Sequence, residues 1–138
     1  MRIFSRILSP LILLVAMLLP AGGAAAASAE STRTEQVNAV INNCNGELVR
    51  LEVAVHVVSK EQKDGSFIQR ANIHGQGTGD QSNEYVFSAT NASRWTSGGF
   101  YSFDERSRLI SKGPQPNLVL LIHFDPDTGL TIKAGCRG

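Results

Sequence analysis

From Cys44 onward, apolar and polar residues alternate with a period of two along nearly the whole chain. In the stretch from Val49 to Val57 every odd position is Val or Leu, whereas Arg50, Glu52 and His56 lie between them. Such alternation places the apolar side chains on one face of a β-strand. Comparable runs, separated by turn residues, continue to the C-terminus. The pattern predicts an antiparallel all-β fold.

We expect a single meander of about six to eight strands. Alternation marks the core of six of them at residues 49–57, 67–79, 85–91, 100–110, 118–124 and 130–136. Upstream, the spacing of Val37, Ala39 and Ile41 suggests a first strand, although Val37, Val40 and Ile41 also fit a short helix. A barrel and a barrel-like two-sheet sandwich share this pattern, and closure of a barrel would remove exposed sheet edges.

Cys44 and Cys136 are the only cysteines, and they stand at the two ends of the predicted β region. In an oxidising compartment two such cysteines form a disulfide. The chain-entropy argument gives a loop of this length roughly 4 to 5 kcal/mol of stabilisation. Cys136 shares the parity of Leu130 and Ile132, so we expect its sulfur at the edge of the core and a bridge that closes the barrel.

The first 29 residues have the pattern of an export signal. Arg2 and Arg6 precede an apolar stretch at 11–19, and small residues lead to a cleavage point after Ala29. The apolar stretch is shorter than the roughly 20 residues that span a bilayer. We therefore expect a cleaved signal peptide at 1–29, one secreted domain at 30–138 in the periplasm or outside the cell, and no membrane insertion.

Charge argues against nucleic acid as a partner. Removal of Arg2 and Arg6 leaves eleven basic residues against twelve acidic ones, a net charge of −1. Proteins that bind phosphate backbones carry an excess of cationic side chains, which this domain does not have.

The first predicted hairpin brings two histidines near each other. Lys63, Asp64 and Gly65 suit a three-residue loop with glycine in the left-handed position. That loop would align Ala54 with His74, so His56 and His74 become diagonal neighbours on the outer face, about 7 to 8 Å apart. Two imidazoles at this range can bind a transition metal. They can equally be two polar residues on a solvated face, and we expect no bound cofactor.

Trp95, Phe100, Tyr101 and Phe103 form one dense aromatic cluster. Aromatic side chains line cavities for small apolar ligands and stack on sugars. They also form ordinary core at the end of a barrel. Both interpretations remain open for these four residues.

In the last predicted hairpin, alternation directs Val119, Leu121 and His123 away from the core. Either another segment covers this apolar stripe or it contacts a partner, which can be a second copy of the chain. For hydrolysis, Asp104 and Glu105 are adjacent and face opposite ways in a strand, and no nucleophile elbow is present. We therefore assign no catalytic residue.

Gly75, Gly77 and Gly79 superficially suggest a phosphate loop. A dinucleotide fingerprint requires a strand before it and a helix after it, whereas another strand follows here. Glycines that allow a barrel strand to bend explain the pattern better.

Three short motifs, NCNGE at 43–47, RLISKGPQPN at 108–117 and CRG at 136–138, resemble small secreted bacterial proteins of unassigned function. The resemblance implies one exported β-domain with cysteines at equivalent ends, and it implies no activity. We expect a non-catalytic module that binds a small apolar ligand or another protein. The alternatives are a metal-dependent or hydrolytic enzyme that uses the outward histidines, and a structural envelope-associated protein.

Overall fold

The computed structural model describes residues 29–138, so the predicted signal peptide, apart from Ala29, lies outside the described residues. Seven strands follow one another: β1 (Glu30–Asn42), β2 (Glu47–Glu61), β3 (Phe67–Gly79), β4 (Glu84–Thr96), β5 (Gly99–Ser111), β6 (Asn117–Asp125) and β7 (Gly129–Arg137). They pair antiparallel in chain order within one sheet. The predicted all-β antiparallel meander is confirmed. Among the described residues no helix is long and apolar enough to cross a membrane.

Most strands extend beyond the stretches that alternation marked, and β1 and β4 show why. Residues Val37 to Ile41 belong to β1 and are not helical. β4 continues past Asn91 to Thr96, because its ladder with β3 is unbroken as far as the pair Phe67 and Trp95. Alternation missed this end of β4 because the polar side chains of Asn91 and Ser93 interrupt its apolar inward positions.

From β2 to β6 the side chains of one face of the sheet are mostly buried, and we call this face the inner face. Toward the disulfide the inner face is apolar, with rows of side chains that continue from strand to strand in register. The buried apolar residues are Val49, Leu51, Val53, Val55, Val57, Ala71, Ile73, Tyr85, Phe87, Ala89, Leu109, Leu118 and Ile122. Burial of these side chains supplies the main favourable free energy of folding.

Two glycines of β3 leave room for this core. Gly77 pairs with Leu51 on one side and with Tyr85 on the other. A Cβ atom on Gly77 would come within 1.9 Å of the Arg50 carbonyl oxygen, and one on Gly75 within 2.1 Å of a carbonyl oxygen of β2. Glycine is therefore required for the close approach of β2, and large rings on β4 cover the inner positions that lack a side chain.

The disulfide requires the sheet to be strongly curved. The bridge joins Cys44, in the turn between β1 and β2, to Cys136 near the end of β7, with the two Cα atoms 5.6 Å apart. In a flat sheet, five strand spacings of about 4.8 Å would separate β2 from β7 by about 24 Å. The sheet must therefore curl into a barrel-like shape. Within the described residues β1 and β7 remain its two edges, so the disulfide joins them at one end only.

The predicted disulfide is confirmed, but the expected burial at β7 is wrong. Ile132 pairs with Ile122 and Cys136 with Leu118, as the alternation predicted. Yet Leu130 and Ile132 are each 55% exposed, and Cys136 is exposed as well. The physical reason is that β7 is an edge strand: none of the described strands pairs with its free side.

Candidate functional site

Away from the disulfide, the inner face combines apolar residues with a group of buried polar side chains. Six buried polar side chains on β2, β3, β4 and β5 make up what we call the polar belt. Its members are Ser59, Gln69, Asn91, Ser93, Glu105 and Ser107. They belong to three neighbouring rows of the inner face. A buried belt of this kind is uncommon, because buried polar groups destabilise a fold unless they are hydrogen-bonded.

Glu105 is the only carboxylate of the polar belt. It lies on β5 between Asn91 of β4 and Ile122 of β6, and it is 6% exposed. Its Oε1 atom has no hydrogen-bond partner among the described residues. Burial raises the pKa of Glu105 to about 7, although a hydrogen bond from Ser107 opposes the shift.

Ser93 presents a second unpaired oxygen to the same region. Its side chain is 2% exposed, and its Oγ has no hydrogen-bond partner among the described residues. Because Asn91 lies directly opposite Glu105, Ser93 is a diagonal cross-strand neighbour of Glu105 on the inner face. Diagonal neighbours are about 7 to 8 Å apart. By contrast, Gln69 of the same belt donates a hydrogen bond to Ser59 at 3.3 Å.

Aromatic side chains border the polar belt at the end of the sheet opposite the disulfide. Phe103 lies between Ser93 and Phe124 in one inner row, and Trp95 pairs with Phe67 in the next. All four rings are half-buried. We call this group (Phe67, Trp95, Phe103 and Phe124) the aromatic end.

The structure brings together only part of the predicted aromatic cluster. Trp95 and Phe103 join the aromatic end. Tyr101 does not, because the register of β4 and β5 shifts after Arg94, which makes Tyr101 the unpaired extra residue of a bulge, and its side chain is exposed. Phe100 lies in β5, but its side chain is outside the described part of the chain.

Sequence reasoning missed Ser93 and Glu105 as site residues. Glu105 was considered only as the neighbour of Asp104. Its position in β5 nevertheless has the same parity as the core residue Leu109. This parity was the sequence signal that a carboxylate faces the inner face. Phe67 and Phe124 fall within the predicted strands at 67–79 and 118–124, and the sequence assigns them no role in a site.

The predicted register of the two histidines is confirmed. Ala54 pairs with His74 and His56 with Asn72, around a loop in which Gly65 has a φ of 77°. Ser31 Oγ and His56 Nε2 are 2.8 Å apart, and both histidines line an open groove on the outer face. Among the described residues, no three His, Cys, Asp or Glu side chains are grouped so that they could hold a metal. Metal binding by His56 and His74 stays a prediction.

The outward stripe of β6 lies near other exposed apolar residues of the outer face, although Arg106 and Arg108 of β5 pair directly with Leu121 and Val119. Leu121 is 40% exposed, and Val86 and Ile110, which face each other across β4 and β5, are each 42% exposed. Together with the half-buried Val119 they form what we call the outer patch. None of the described strands covers it, since strand contacts involve neighbours in the sheet almost exclusively. Beside the patch, His123 Nδ1 lies 2.6 Å from Asp104 Oδ1.

A second buried carboxylate, Glu47, lies at the disulfide end of the sheet and has hydrogen-bond partners. It accepts hydrogen bonds from Tyr85 Oη, Asn83 Nδ2 and the backbone N–H of Gln81. Asn45 also contacts it, at 3.3 Å. The NCNGE segment therefore builds a satisfied structural cap, whereas the unpaired oxygens lie in the polar belt.

Comparison with known protein families, with curated proteins and with solved structures finds no match for this chain. We therefore infer the function from the geometry of the polar belt and the aromatic end.

Proposed function

We propose that this protein is a non-catalytic binding module that takes a small ligand on its inner face, between the polar belt and the aromatic end. The observation that carries the proposal is the pair of buried, unpaired oxygens, Glu105 Oε1 and Ser93 Oγ. Leaving a buried polar group unpaired costs about 1 to 3 kcal/mol. A ligand that hydrogen-bonds to both oxygens would remove that cost.

The composition of the site agrees with ligand binding. Binding sites for small molecules combine mostly apolar and aromatic walls with a few convergent polar groups. Here Phe103 and Phe124 supply rings in the same inner row as Ser93. A hydrolytic enzyme has less support, because the two carboxylates cannot act together on one substrate. Asp104 lies on the outer face beside His123, whereas Glu105 lies on the inner face.

The proposed place of action is outside the cytoplasm. The disulfide between Cys44 and Cys136 supports this, since structural disulfides persist in oxidising compartments. The export pattern of the first 29 residues and the resemblance to small secreted bacterial proteins point the same way.

Native mass spectrometry tests the proposal on protein exported by its own host. We expect a bound small molecule that is released on denaturation. Ser93→Val should reduce its occupancy at least fivefold, because the substitution removes one oxygen of the site. The matched control is Ser88→Val, on the outer face of the same strand, which should retain the ligand. A wild-type protein with no bound molecule, or equal occupancy in both variants, would contradict the proposal.

The outer patch favours a second function, contact with another protein, for which we propose a second copy of the chain. Exposed apolar surface of this kind is typical of interaction sites. Sedimentation velocity over a hundredfold range of concentration tests it. Leu121→Lys should shift the protein to monomer, and Asn72→Lys, at an exposed position on the outer face of β3, should not. A wild-type protein that stays monomeric throughout would rule out self-association.

A further inference from the structure

Glu105 has no positive partner on the inner face. The inner side chains beside it are Ala89, Asn91 and Ser93 on β4 and Leu120, Ile122 and Phe124 on β6. None of the six titrates or carries a charge. The three ion pairs found among the described residues involve other carboxylates, those of Asp64, Glu84 and Asp104.

The two unpaired oxygens, Glu105 Oε1 and Ser93 Oγ, determine which chemical group of a ligand can bind there. A buried carboxylate is stabilised by a cation that donates hydrogen bonds to it, and such charge-assisted bonds are stronger than neutral ones. An ammonium group carries three donors, so it can serve Glu105 Oε1 and Ser93 Oγ together. Aromatic rings such as Phe103, which directly neighbours Ser93, attract cations through their faces.

We infer that the ligand of the inner face is a small cationic amphiphile, with an ammonium head between Glu105 and Ser93 and an apolar body against the aromatic end. This inference rests on the proposed binding function and adds the chemical class of the ligand. A neutral lipid or an alcohol would leave the carboxylate without a counter-charge. A fatty acid would bring a second negative charge to it.

The protonation of Glu105 gives the inference a distinctive pH dependence. Burial raises the pKa of Glu105 to about 7, so the free protein holds a proton there at pH 6 and has lost most of it at pH 8. An ammonium head binds the ionised form. Its affinity should therefore rise roughly tenfold from pH 6 to pH 8, as the ionised fraction does. No other titratable side chain lies beside Glu105 on the inner faces of β4 and β6 to mask this change.

The experiment compares octylamine, octanol and octanoate as probes that share one apolar body. Binding is followed by the fluorescence of Trp95, the only tryptophan in the chain, which lies two residues from Ser93 on the same face, and by calorimetry. At pH 8 we expect octylamine to bind at least tenfold more tightly than octanol, and octanoate most weakly. Glu105→Gln should abolish the preference for the amine over the alcohol. Asp104→Asn, the neighbouring carboxylate on the outer face, is the matched control.

The possible outcomes separate the two proposals. Equal affinity of octylamine and octanol, or an amine preference that survives Glu105→Gln, overturns the cationic class and leaves the binding function standing. Absence of binding by all three probes overturns the inference as well, and with an empty wild-type protein in native mass spectrometry it removes the binding function too. A melting curve for each variant confirms that it is folded before its affinity is compared.

Discussion

Tyr85 donates its phenolic hydrogen to Oε2 of Glu47 across 2.5 Å, and both side chains are completely buried. Burial raises the pKa of Glu47, but the hydrogen bonds from Tyr85, Asn83 and Gln81 outweigh it, and the net pKa is lowered. The pKa of Tyr85 is raised, by burial and by its bond to Glu47. The pair holds the turn between β1 and β2 onto β4 at the disulfide end.

Replacement of Tyr85 by phenylalanine should lower the free energy of unfolding by about 1 to 3 kcal/mol, because a buried acceptor loses its donor. Tyr85 Oη also lies within hydrogen-bond distance of Nδ2 of Asn42 and Asn45, so the hydroxyl joins two parts of the turn. Urea unfolding measures the change. The control is Tyr101→Phe at the other tyrosine of the chain, which is exposed. Similar effects of the two substitutions would contradict the structural role of Tyr85.

Replacement of Gly77 by alanine should destabilise the fold by about 3 kcal/mol, the upper part of the usual range for overpacking. The added Cβ would meet the Arg50 carbonyl oxygen at 1.9 Å and Leu51 Cδ2 at 2.9 Å, so backbone must shift. Gly135→Ala in β7 is the control, since no atom lies within 4 Å of its Cβ position. That change should be neutral or stabilising by about 0.5 kcal/mol. Thermal melts compare the two variants.

The sequence predicts much of this fold because every second residue is apolar from Val49 to Val57 and along both strands of the last hairpin. The loop at 63–65 then sets the register, so the placement of Ala54 opposite His74 could be derived before the structure was known. Alternation alone does not show how far a sheet curls. For this reason the burial of Cys136 was overestimated, since whether β7 gains a neighbour depends on the curvature of the whole sheet.

The candidate site is harder to predict for a related reason. Alternation identifies an inner face by its apolar residues, but the polar belt interrupts that signal at Asn91, Ser93 and Glu105. Only their parity with core residues farther along each strand, such as Phe87 and Leu109, marks their inward direction. The bulge after Arg94 also removes Tyr101 from the aromatic group, and nothing in the local sequence marks which residue is the extra one.

Reduction of the Cys44–Cys136 disulfide should release β7 before the rest of the sheet. β7 pairs only with β6 among the described strands, and its inner side chains are largely exposed. The bond spans 92 residues, for which the chain-entropy model gives roughly 4 to 5 kcal/mol. Hydrogen exchange with and without reductant should show loss of protection in β7 while β2 to β4 stay protected, together with a lower melting temperature. An unchanged melt, or uniform loss of protection, would count against this role.

Glu105 should make the protein less stable as the pH rises. Its pKa is raised from 4.5 to about 7 in the folded state, chiefly by burial. Between those values the folded state binds more protons than the unfolded state, so stability falls with increasing pH and the loss is complete above pH 7. The shift corresponds to roughly 3 kcal/mol.

Glu105→Gln isolates this contribution, because glutamine keeps the shape of the side chain without a charge. At pH 4 the variant and the wild type should have similar free energies of unfolding, and at pH 8 the variant should be more stable by roughly 3 kcal/mol. Urea unfolding at four pH values gives the difference curve, and Glu52→Gln, which removes an exposed carboxylate on β2, serves as the control. A difference that does not change between pH 4 and pH 8 would mean that the pKa of Glu105 is the same in the folded and unfolded states, and it would remove the desolvated carboxylate from the proposed site.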